Sequence, residues 1–137
     1  MNLAVIAVGS NINPVKNVQG ALARIAARHR ILARSRLRRT EPIGPKDQPD
    51  FLNGALLVET QMDRRALRGW LRHVEADLGR VRAAEKSGPR TIDLDIVVWN
   101  GRIVHEDVRE RDFLRCAVAQ VCPDLEIGGP RAQPGAQ

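Results

Sequence analysis

Residues 88–96 of the chain read Gly-Pro-Arg-Thr-Ile-Asp-Leu-Asp-Ile, a basic loop that becomes an apolar strand. Side chains alternate across a strand, so Asp93 and Asp95 are predicted to share one face while their apolar neighbours enter the core. Two adjacent carboxylates repel each other, and a Mg²⁺ ion held between carboxylates and substrate phosphates explains such a pair. On the strand pattern alone, two solvated aspartates are the simpler interpretation. The arginine-rich segment 79–90 favours the cation and phosphate site, because guanidinium groups bind phosphate oxygens in a bidentate way.

The segments around this strand predict an α+β fold. Apolar and alternating runs predict four strands, at residues 3–8, 31–38, 51–60 and 91–99. Apolar residues at helical spacing predict two helices, one over 14–28 and one after the cap residue Asp63. The order β-α-β-β-α-β is that of the ferredoxin-like antiparallel sheet with helices packed on it. Two long loops, residues 39–50 and 79–90, are predicted to be active-site loops, and a short strand at 103–104 and a helix near 113–121 follow.

The composition predicts one globular domain with an anionic ligand. The chain has 137 residues, 43% of them hydrophobic, which predicts a domain over residues 1–130 and a disordered tail over residues 131–137. The net charge of +6 suits a nucleotide and would also suit RNA. An RNA-binding module of the sheet-stacking kind is disfavoured, because the chain has no tyrosine and only two phenylalanines and two tryptophans. No nucleic acid partner is therefore expected.

The cysteines and the hydropathy pattern predict a cytoplasmic protein. Cys116 and Cys122 have neither metal-ligand nor redox spacing, and we expect both to be buried thiols in a reducing compartment. The first residues carry no basic segment of a signal peptide, and no apolar run approaches membrane-spanning length. We expect a monomer with small-molecule substrates and no membrane partner.

Two phenylalanines predict a site for a flat ligand. Phe51 and Asn53 are two residues apart on a predicted strand, so they share a face. A ring beside a carboxamide can stack a planar heterocycle and bond its edge. The alternative, a core phenylalanine and an asparagine near a turn, stays open on these two residues alone. Phe113 is the chain's other phenylalanine, and it could supply the second ring of such a clamp.

Several motifs occur in order along the chain. They are Ala-Val-Gly-Ser-Asn at 7–11, Pro-Ile-Gly-Pro at 42–45, Asp-Gln-Pro-Asp-Phe-Leu-Asn at 47–53, Glu75, Gly-Arg-Val-Arg at 79–82 and Gly-Pro-Arg-Thr-Ile-Asp-Leu-Asp at 88–95. Together they closely resemble the 6-hydroxymethyl-7,8-dihydropterin pyrophosphokinases of the folate pathway. The resemblance implies transfer of the β,γ-pyrophosphoryl group of ATP to the pterin hydroxymethyl oxygen, with AMP as the second product. It also implies ATP as co-substrate and two Mg²⁺ ions as cofactors.

The resemblance implies roles for individual residues. The metal ligands would be Asp93 and Asp95, and the catalytic residues Arg80, Arg90 and Asp95. The expected ATP contacts are Glu75, Arg80, Arg82, Arg90 and Arg111. The expected pterin contacts are Thr40, Pro42, Ile43, Gly44, Phe51, Asn53 and Phe113.

The chain departs from the family pattern at a few places. Ser87 stands where an aromatic or bulky polar residue usually precedes Gly-Pro-Arg, and Arg72 stands where a glutamine is common. A Pro-His segment of about eight residues that contacts ATP in the family is missing. His105 precedes this gap and is not a match for the missing histidine. These departures leave an alternative open: a diverged paralogue that binds pterin and nucleotide with weak or altered transferase activity.

Overall fold

A computed structural model of the chain describes residues 1–42, 47–80 and 91–128. The elements in chain order are β1 (Asn2–Ser10), α1 (Pro14–Arg28), β2 (Arg30–Arg34), β3 (Arg38–Thr40), β4 (Phe51–Thr60), α2 (Arg64–Asp77), β5 (Asp93–Trp99), β6 (Arg102–Ile103), α3 (Asp107–Glu110) and α4 (Asp112–Val121). Within these ranges, none of the helices has the length and apolar character needed to span a bilayer.

The strands form one antiparallel sheet in the order β2-β4-β1-β5-β6, with β3 also paired to β4. β1 lies in the middle, antiparallel to β4 on one side and to β5 on the other. This order confirms the predicted ferredoxin-like α+β fold. The central position of β1 also explains its unbroken apolar sequence, because a strand covered on both faces needs apolar side chains on both.

Helices cover both faces of the sheet. α1 and α2 pack on one face through residues that include Val18, Ile25, Leu67 and Leu71. α3 and α4 pack on the other face, where Val108, Leu114 and Val118 meet the far side of β1, β4 and β5. The second face is not fully covered, and the space left open there, beside the beginning of β5, is the cavity described below.

The prediction of one continuous strand over residues 31–38 is wrong. The structure breaks it into β2 and β3, separated by residues 35–37. Ser35 still bonds across to Ala55, since its N–H donates to the Ala55 carbonyl (2.9 Å) and its hydroxyl accepts from the Ala55 N–H (2.8 Å). The next N–H, that of Arg36, donates instead to Oε1 of Gln120 on α4 (2.9 Å). A tertiary contact with a distant helix therefore interrupts the ladder, and β3 takes up the first residues of the predicted loop.

The prediction for Cys116 is also wrong. Both cysteines are free, but Cys116 is exposed and Cys122 is only half-buried. The face of α4 that packs on the sheet carries Leu114, Ala117 and Val118, so Cys116 lies on the opposite side of the helix. At the tail, residues 131–137 lie outside the part of the chain that the structure describes.

Candidate active site

A cavity of about 320 Å³ opens on the sheet face shared with α3 and α4. Four adjacent strands contribute to it, because β3, β4, β1 and β5 are neighbours in the sheet. Its lining includes Gly9, Thr40, Glu41, Phe51, Asn53, Asp93, Asp95, Val97, His105, Asp107, Arg111 and Phe113. Gly9 and Phe113, which are 104 positions apart in the sequence, thus meet around one space, whose volume suits a small organic ligand.

One part of the cavity combines two aromatic rings with a fixed carboxamide. Phe51, Asn53 and Phe113 all line it, as the sequence predicted for a flat ligand. Asn53 Nδ2 donates to the Thr40 hydroxyl at 2.5 Å, which fixes the orientation of the amide. Gly9 lies opposite Asn53 in the β1–β4 ladder, and a Cβ at Gly9 would lie only 2.5 Å from Asn53 Oδ1. The absence of a side chain at Gly9 therefore makes room for the carboxamide.

The other part of the cavity is acidic. Asp93 and Asp95 both line it from β5, which agrees with the predicted strand alternation. Burial of the Asp95 carboxyl raises its pKa above the usual value, and the negative charge of Asp93 raises it further. Keeping the Asp95 carboxylate ionised beside Asp93 therefore costs free energy, which a bound cation would offset.

The donor set fits Mg²⁺ under one condition. Among the residues that the structure describes, no group of three or more histidine, cysteine, aspartate or glutamate side chains could hold a metal ion by itself. Mg²⁺ is commonly bound by one or two carboxylates together with substrate phosphates and water. Asp93 and Asp95 fit that pattern, with the remaining oxygens supplied by the ligand.

Side chains of α2 form hydrogen bonds with backbone groups at the outer edge of β5. In the described residues, β6 pairs with β5 only at Val98 and Trp99, so it does not reach the beginning of the strand. There the Leu94 N–H donates to Glu75 Oε2 (2.8 Å), and the Leu94 carbonyl accepts from Arg72 Nη1 (3.1 Å). Arg72 and Glu75 thus take the place of a neighbouring strand at this residue.

The same side chains hold both aspartates. Arg80 Nη1 lies 2.7 Å from Glu75 Oε2 and 2.7 Å from Asp93 Oδ1. Arg72 Nη1 lies 2.9 Å from Glu75 Oε1, and its Nη2 lies 3.3 Å from Asp95 Oδ1. Each aspartate is therefore paired with an arginine that is itself anchored on Glu75. We call Arg72, Glu75 and Arg80 the edge network.

Glu75 lies in a different place from the one expected of an ATP contact. Its side chain is only 2% exposed, and it does not line the cavity. The structure gives it instead the position of an anchor for Arg72 and Arg80 beneath β5. Arg80, which was expected to meet the phosphates, is 11% exposed and bound to Asp93. Pro42 is buried and lies beside the cavity residues in sequence without lining the cavity.

Some expected site residues lie outside the described ranges. They are Ile43, Gly44, Arg82 and Arg90, together with Ser87, at which the chain departs from the family pattern. Their roles remain predictions.

Arg111 has a polar atom suited to an anion. It lines the cavity, and its Nε is buried without a hydrogen-bond partner among the described residues. The nearest carboxylate oxygen, Asp107 Oδ1, is 3.9 Å away, too far for a hydrogen bond. A buried N–H group without a partner is costly, and a ligand oxygen would satisfy it.

Arg72 and His105 were not predicted as site residues, although the comparison of the sequence with the family pattern names both. Arg72 could have been found from its spacing, because residues three apart on a helix are neighbours and Arg72 precedes Glu75 by three. His105 lines the cavity, and its Nδ1 accepts a hydrogen bond from the Asp107 N–H (3.2 Å). The neutral ring therefore carries its proton on Nε2, where it can donate to a ligand.

Comparison with known proteins identifies the family. A family model described as 7,8-dihydro-6-hydroxymethylpterin-pyrophosphokinase (HPPK) matches residues 5–123. The 2-amino-4-hydroxy-6-hydroxymethyldihydropteridine pyrophosphokinase of Methylorubrum extorquens is 39% identical over 140 residues, which cover 94% of this chain and 88% of that protein. The protein of the same name from Haemophilus influenzae is 33% identical, with coverages of 93% and 86%.

A longer protein also contains a similar segment. The folic acid synthesis protein fol1 of Schizosaccharomyces pombe is 36% identical over 134 residues, which cover 90% of this chain and 18% of that protein. The family model covers most of the chain, and relatives with the corresponding name align along nearly its whole length. The resemblance found in the sequence is thereby confirmed, and this chain belongs to the 7,8-dihydro-6-hydroxymethylpterin-pyrophosphokinase family.

Proposed function

We propose that this chain transfers the pyrophosphoryl group of ATP to the hydroxymethyl oxygen of 6-hydroxymethyl-7,8-dihydropterin, giving the pterin diphosphate and AMP in folate biosynthesis. The observation that carries the proposal is the composition of one cavity. A ring-and-carboxamide part formed by Phe51, Asn53 and Phe113 adjoins a carboxylate pair formed by Asp93 and Asp95. A flat heterocycle and a magnesium-bound polyphosphate need these two environments side by side.

The pterin would lie between the two phenylalanine rings. Stacking suits a flat bicyclic ring on both faces, and the Asn53 carboxamide can bond its polar edge. The Thr40 hydroxyl fixes that carboxamide before the ligand arrives, which lowers the entropic cost of binding. Pro42, Ile43 and Gly44 are proposed to complete this side of the pocket.

The triphosphate would meet the acidic and basic groups. Asp93 and Asp95 are proposed to hold two Mg²⁺ ions, which when bound would neutralise phosphate charge and orient the transferring group. Arg111 would donate its buried Nε–H to a phosphate oxygen, and His105 could donate its Nε2–H. Arg82 and Arg90 are proposed as further phosphate contacts. Asp95 is the proposed acceptor of the hydroxyl proton.

The site as described comes from one chain, so a monomer is sufficient for this proposal. The two free cysteines suit the reducing cytoplasm that the sequence predicts.

Product analysis tests the proposed reaction. With MgATP and 6-hydroxymethyl-7,8-dihydropterin together, we expect AMP and pterin diphosphate in equal amounts, and little AMP without the pterin. Chelation of divalent cations should stop the reaction. Release of ADP in place of AMP would contradict pyrophosphoryl transfer. Binding of both substrates without AMP formation would favour a diverged binding protein.

Gly9→Ala is expected to weaken pterin binding. The new Cβ would lie 2.5 Å from Asn53 Oδ1, which is too close for two non-bonded atoms. The carboxamide must therefore move and lose its bond to Thr40. Loss of one such hydrogen bond corresponds to roughly a fivefold to tenfold weaker pterin affinity. Calorimetric titration with the pterin measures the change, and ATP affinity should stay nearly constant.

Gly69→Ala is the matched control for this prediction. Gly69 is an exposed position on α2, and a Cβ there would meet nothing within 4 Å. We expect unchanged pterin affinity and a small gain in stability, since alanine favours helices over glycine. Equal pterin affinity in Gly9→Ala and in the unmodified protein would show that Asn53 does not bind the pterin edge.

A further inference from the structure

The edge network places two guanidinium groups beside the acidic part of the cavity. Asp93, Asp95 and Glu75 face Arg72 and Arg80 through the contacts given above. Within the described residues, three carboxylates meet two guanidinium groups, which leaves one net negative charge. The Arg72 guanidinium supplies one of the two positive charges, and it reaches Asp95 directly at 3.3 Å.

The two terminal nitrogens of the Arg72 guanidinium group contact different partners. Nη1 donates to Glu75 Oε1 and to the Leu94 carbonyl, both groups of the protein frame. Nη2 is turned to Asp95 Oδ1. Because the guanidinium is planar and rigid, fixing Nη1 on the frame also fixes the direction of Nη2. The Asp95 side chain is 33% exposed, and the hydrogen bond from Nη2 favours the rotamer that makes it.

We propose that Arg72 is a positioning residue that holds Asp95 in place and acts as a built-in counter-ion, which a divalent cation at Asp93 and Asp95 must share or displace. This inference rests on the proposed function, because it takes those aspartates as the cation site. The cost of the arrangement is weaker cation binding, since a positive charge stays close to the metal. Its benefit is an ordered carboxylate pair in the protein without metal.

The Arg72 charge should change cation affinity in a definite direction and by a definite amount. A divalent ion bound to Asp95 lies only a few ångströms from the Arg72 guanidinium. In the partly exposed environment of this site, removing one such charge is expected to tighten binding roughly tenfold. Removing the guanidinium also takes a partner from the buried Glu75, so the same change should destabilise the protein without metal.

Titration with Mn²⁺ alone, followed by the electron paramagnetic resonance of the free ion, tests the proposal. Arg72→Gln should bind Mn²⁺ about tenfold more tightly than the unmodified protein. Arg72→Lys keeps the charge but has no rigid fork, so its Mn²⁺ affinity should stay within about threefold of the unmodified protein. Arg24→Gln is the matched control, because it removes the same charge from an exposed ion pair with Asp77 (side chains 45% and 53% exposed).

Thermal unfolding supplies a second measurement that does not involve activity. Without metal, Arg72→Gln is expected to lower Tm by about 3–8 °C. Saturating Mn²⁺ should then raise the Tm of Arg72→Gln more than it raises that of the unmodified protein. Arg24→Gln should change neither quantity appreciably. A purely structural role for Arg72 would lower Tm and leave the Mn²⁺ affinity unchanged or weaker.

The possible outcomes separate this inference from the proposed reaction. Unchanged or weaker Mn²⁺ binding by Arg72→Gln overturns the counter-ion role, even if the unmodified protein forms AMP. Equal tightening by Arg24→Gln would also overturn it, since overall charge would then explain the effect. Tighter Mn²⁺ binding by Arg72→Gln alone supports it, even if no AMP is formed. Absence of Mn²⁺ binding in all variants, Arg72→Gln included, also overturns it, because removal of the positive charge would then not strengthen the binding of a cation.

Discussion

Asp95→Asn is expected to lower the rate of pyrophosphoryl transfer by about a thousandfold or more, because it removes a charge that the proposed cation site needs. Asp93→Asn should have an effect of the same order. Asparagine keeps the shape of aspartate, so the loss reports on charge. The measurement is kcat for AMP formation at saturating substrates and Mg²⁺.

The Asp95 variant should nevertheless fold well. Burial and the charge of Asp93 raise the pKa of Asp95, so its ionised form is less favourable in the folded protein than in the unfolded one. This unfavourable contribution is absent at low pH and is fully present once the pH exceeds the raised pKa. Asp95→Asn removes it, and we expect a Tm at pH 7 equal to or above that of the unmodified protein.

Asp77→Asn is the matched control for both variants. It makes the same chemical change on α2, at a side chain that is 53% exposed and paired with Arg24. Activity should stay within about twofold of normal, since exposed ion pairs contribute little. Near-normal kcat in a folded Asp95→Asn protein would contradict the assignment of Asp95 to the metal site.

The sequence predicted the parts of the fold that local periodicity determines. β4 has the predicted bounds, and α1 begins at Pro14 and ends at Arg28 as expected. Asp63 caps α2 by accepting a hydrogen bond from the Ala66 N–H (2.8 Å). In each of these elements, the pattern of apolar residues agrees with the tertiary environment.

Features that depend on distant contacts were not predictable in the same way. The alternating arginines of residues 31–38 predict the exposure of Arg34, Arg36 and Arg38 correctly, but they carry no signal for the break after Arg34. That break depends on Gln120, 84 residues from Arg36. Likewise, the exposure of Cys116 depends on which face of α4 packs on the sheet. The sequence of the helix alone did not decide that face.

The site was predictable where a strand or a motif places the residue. Asp93 and Asp95 could be assigned to one face of their strand, and Phe51 and Asn53 to one face of theirs, because alternation decides which side chains of a strand point the same way. Glu75 could not be placed in this way. Its burial follows from the shortness of β6, which leaves the edge of β5 at Leu94 open to a helix side chain. His105 reaches the cavity through a turn whose course no periodic pattern describes.

Glu75→Ala is expected to lower the free energy of unfolding by about 3–5 kcal/mol, as is typical when one partner of a buried ionic cluster is removed. The carboxylate is 2% exposed and accepts from Arg72, Arg80 and the Leu94 N–H. Removing it leaves two guanidinium groups with fewer partners and a buried N–H without its acceptor. Glu75→Gln retains an acceptor oxygen, so we expect a smaller loss of about 1.5–3 kcal/mol. Urea unfolding measures both.

The same pair of variants distinguishes an anchor from an ATP contact. If Glu75 anchors the edge network, Glu75→Gln should lower kcat, because Arg72 and Arg80 would then be held less firmly against Asp95 and Asp93, while ATP affinity changes little. Glu126→Ala, at an exposed position after α4, is the control. It should change the free energy of unfolding by no more than about 0.5 kcal/mol and leave activity nearly unchanged. Normal stability of Glu75→Ala together with a large loss of ATP affinity would reject the anchor and favour direct contact with the nucleotide. A carboxylate this deeply buried can reach ATP only if β5 and α2 separate, and that separation would itself abolish the contacts that hold Asp93 and Asp95.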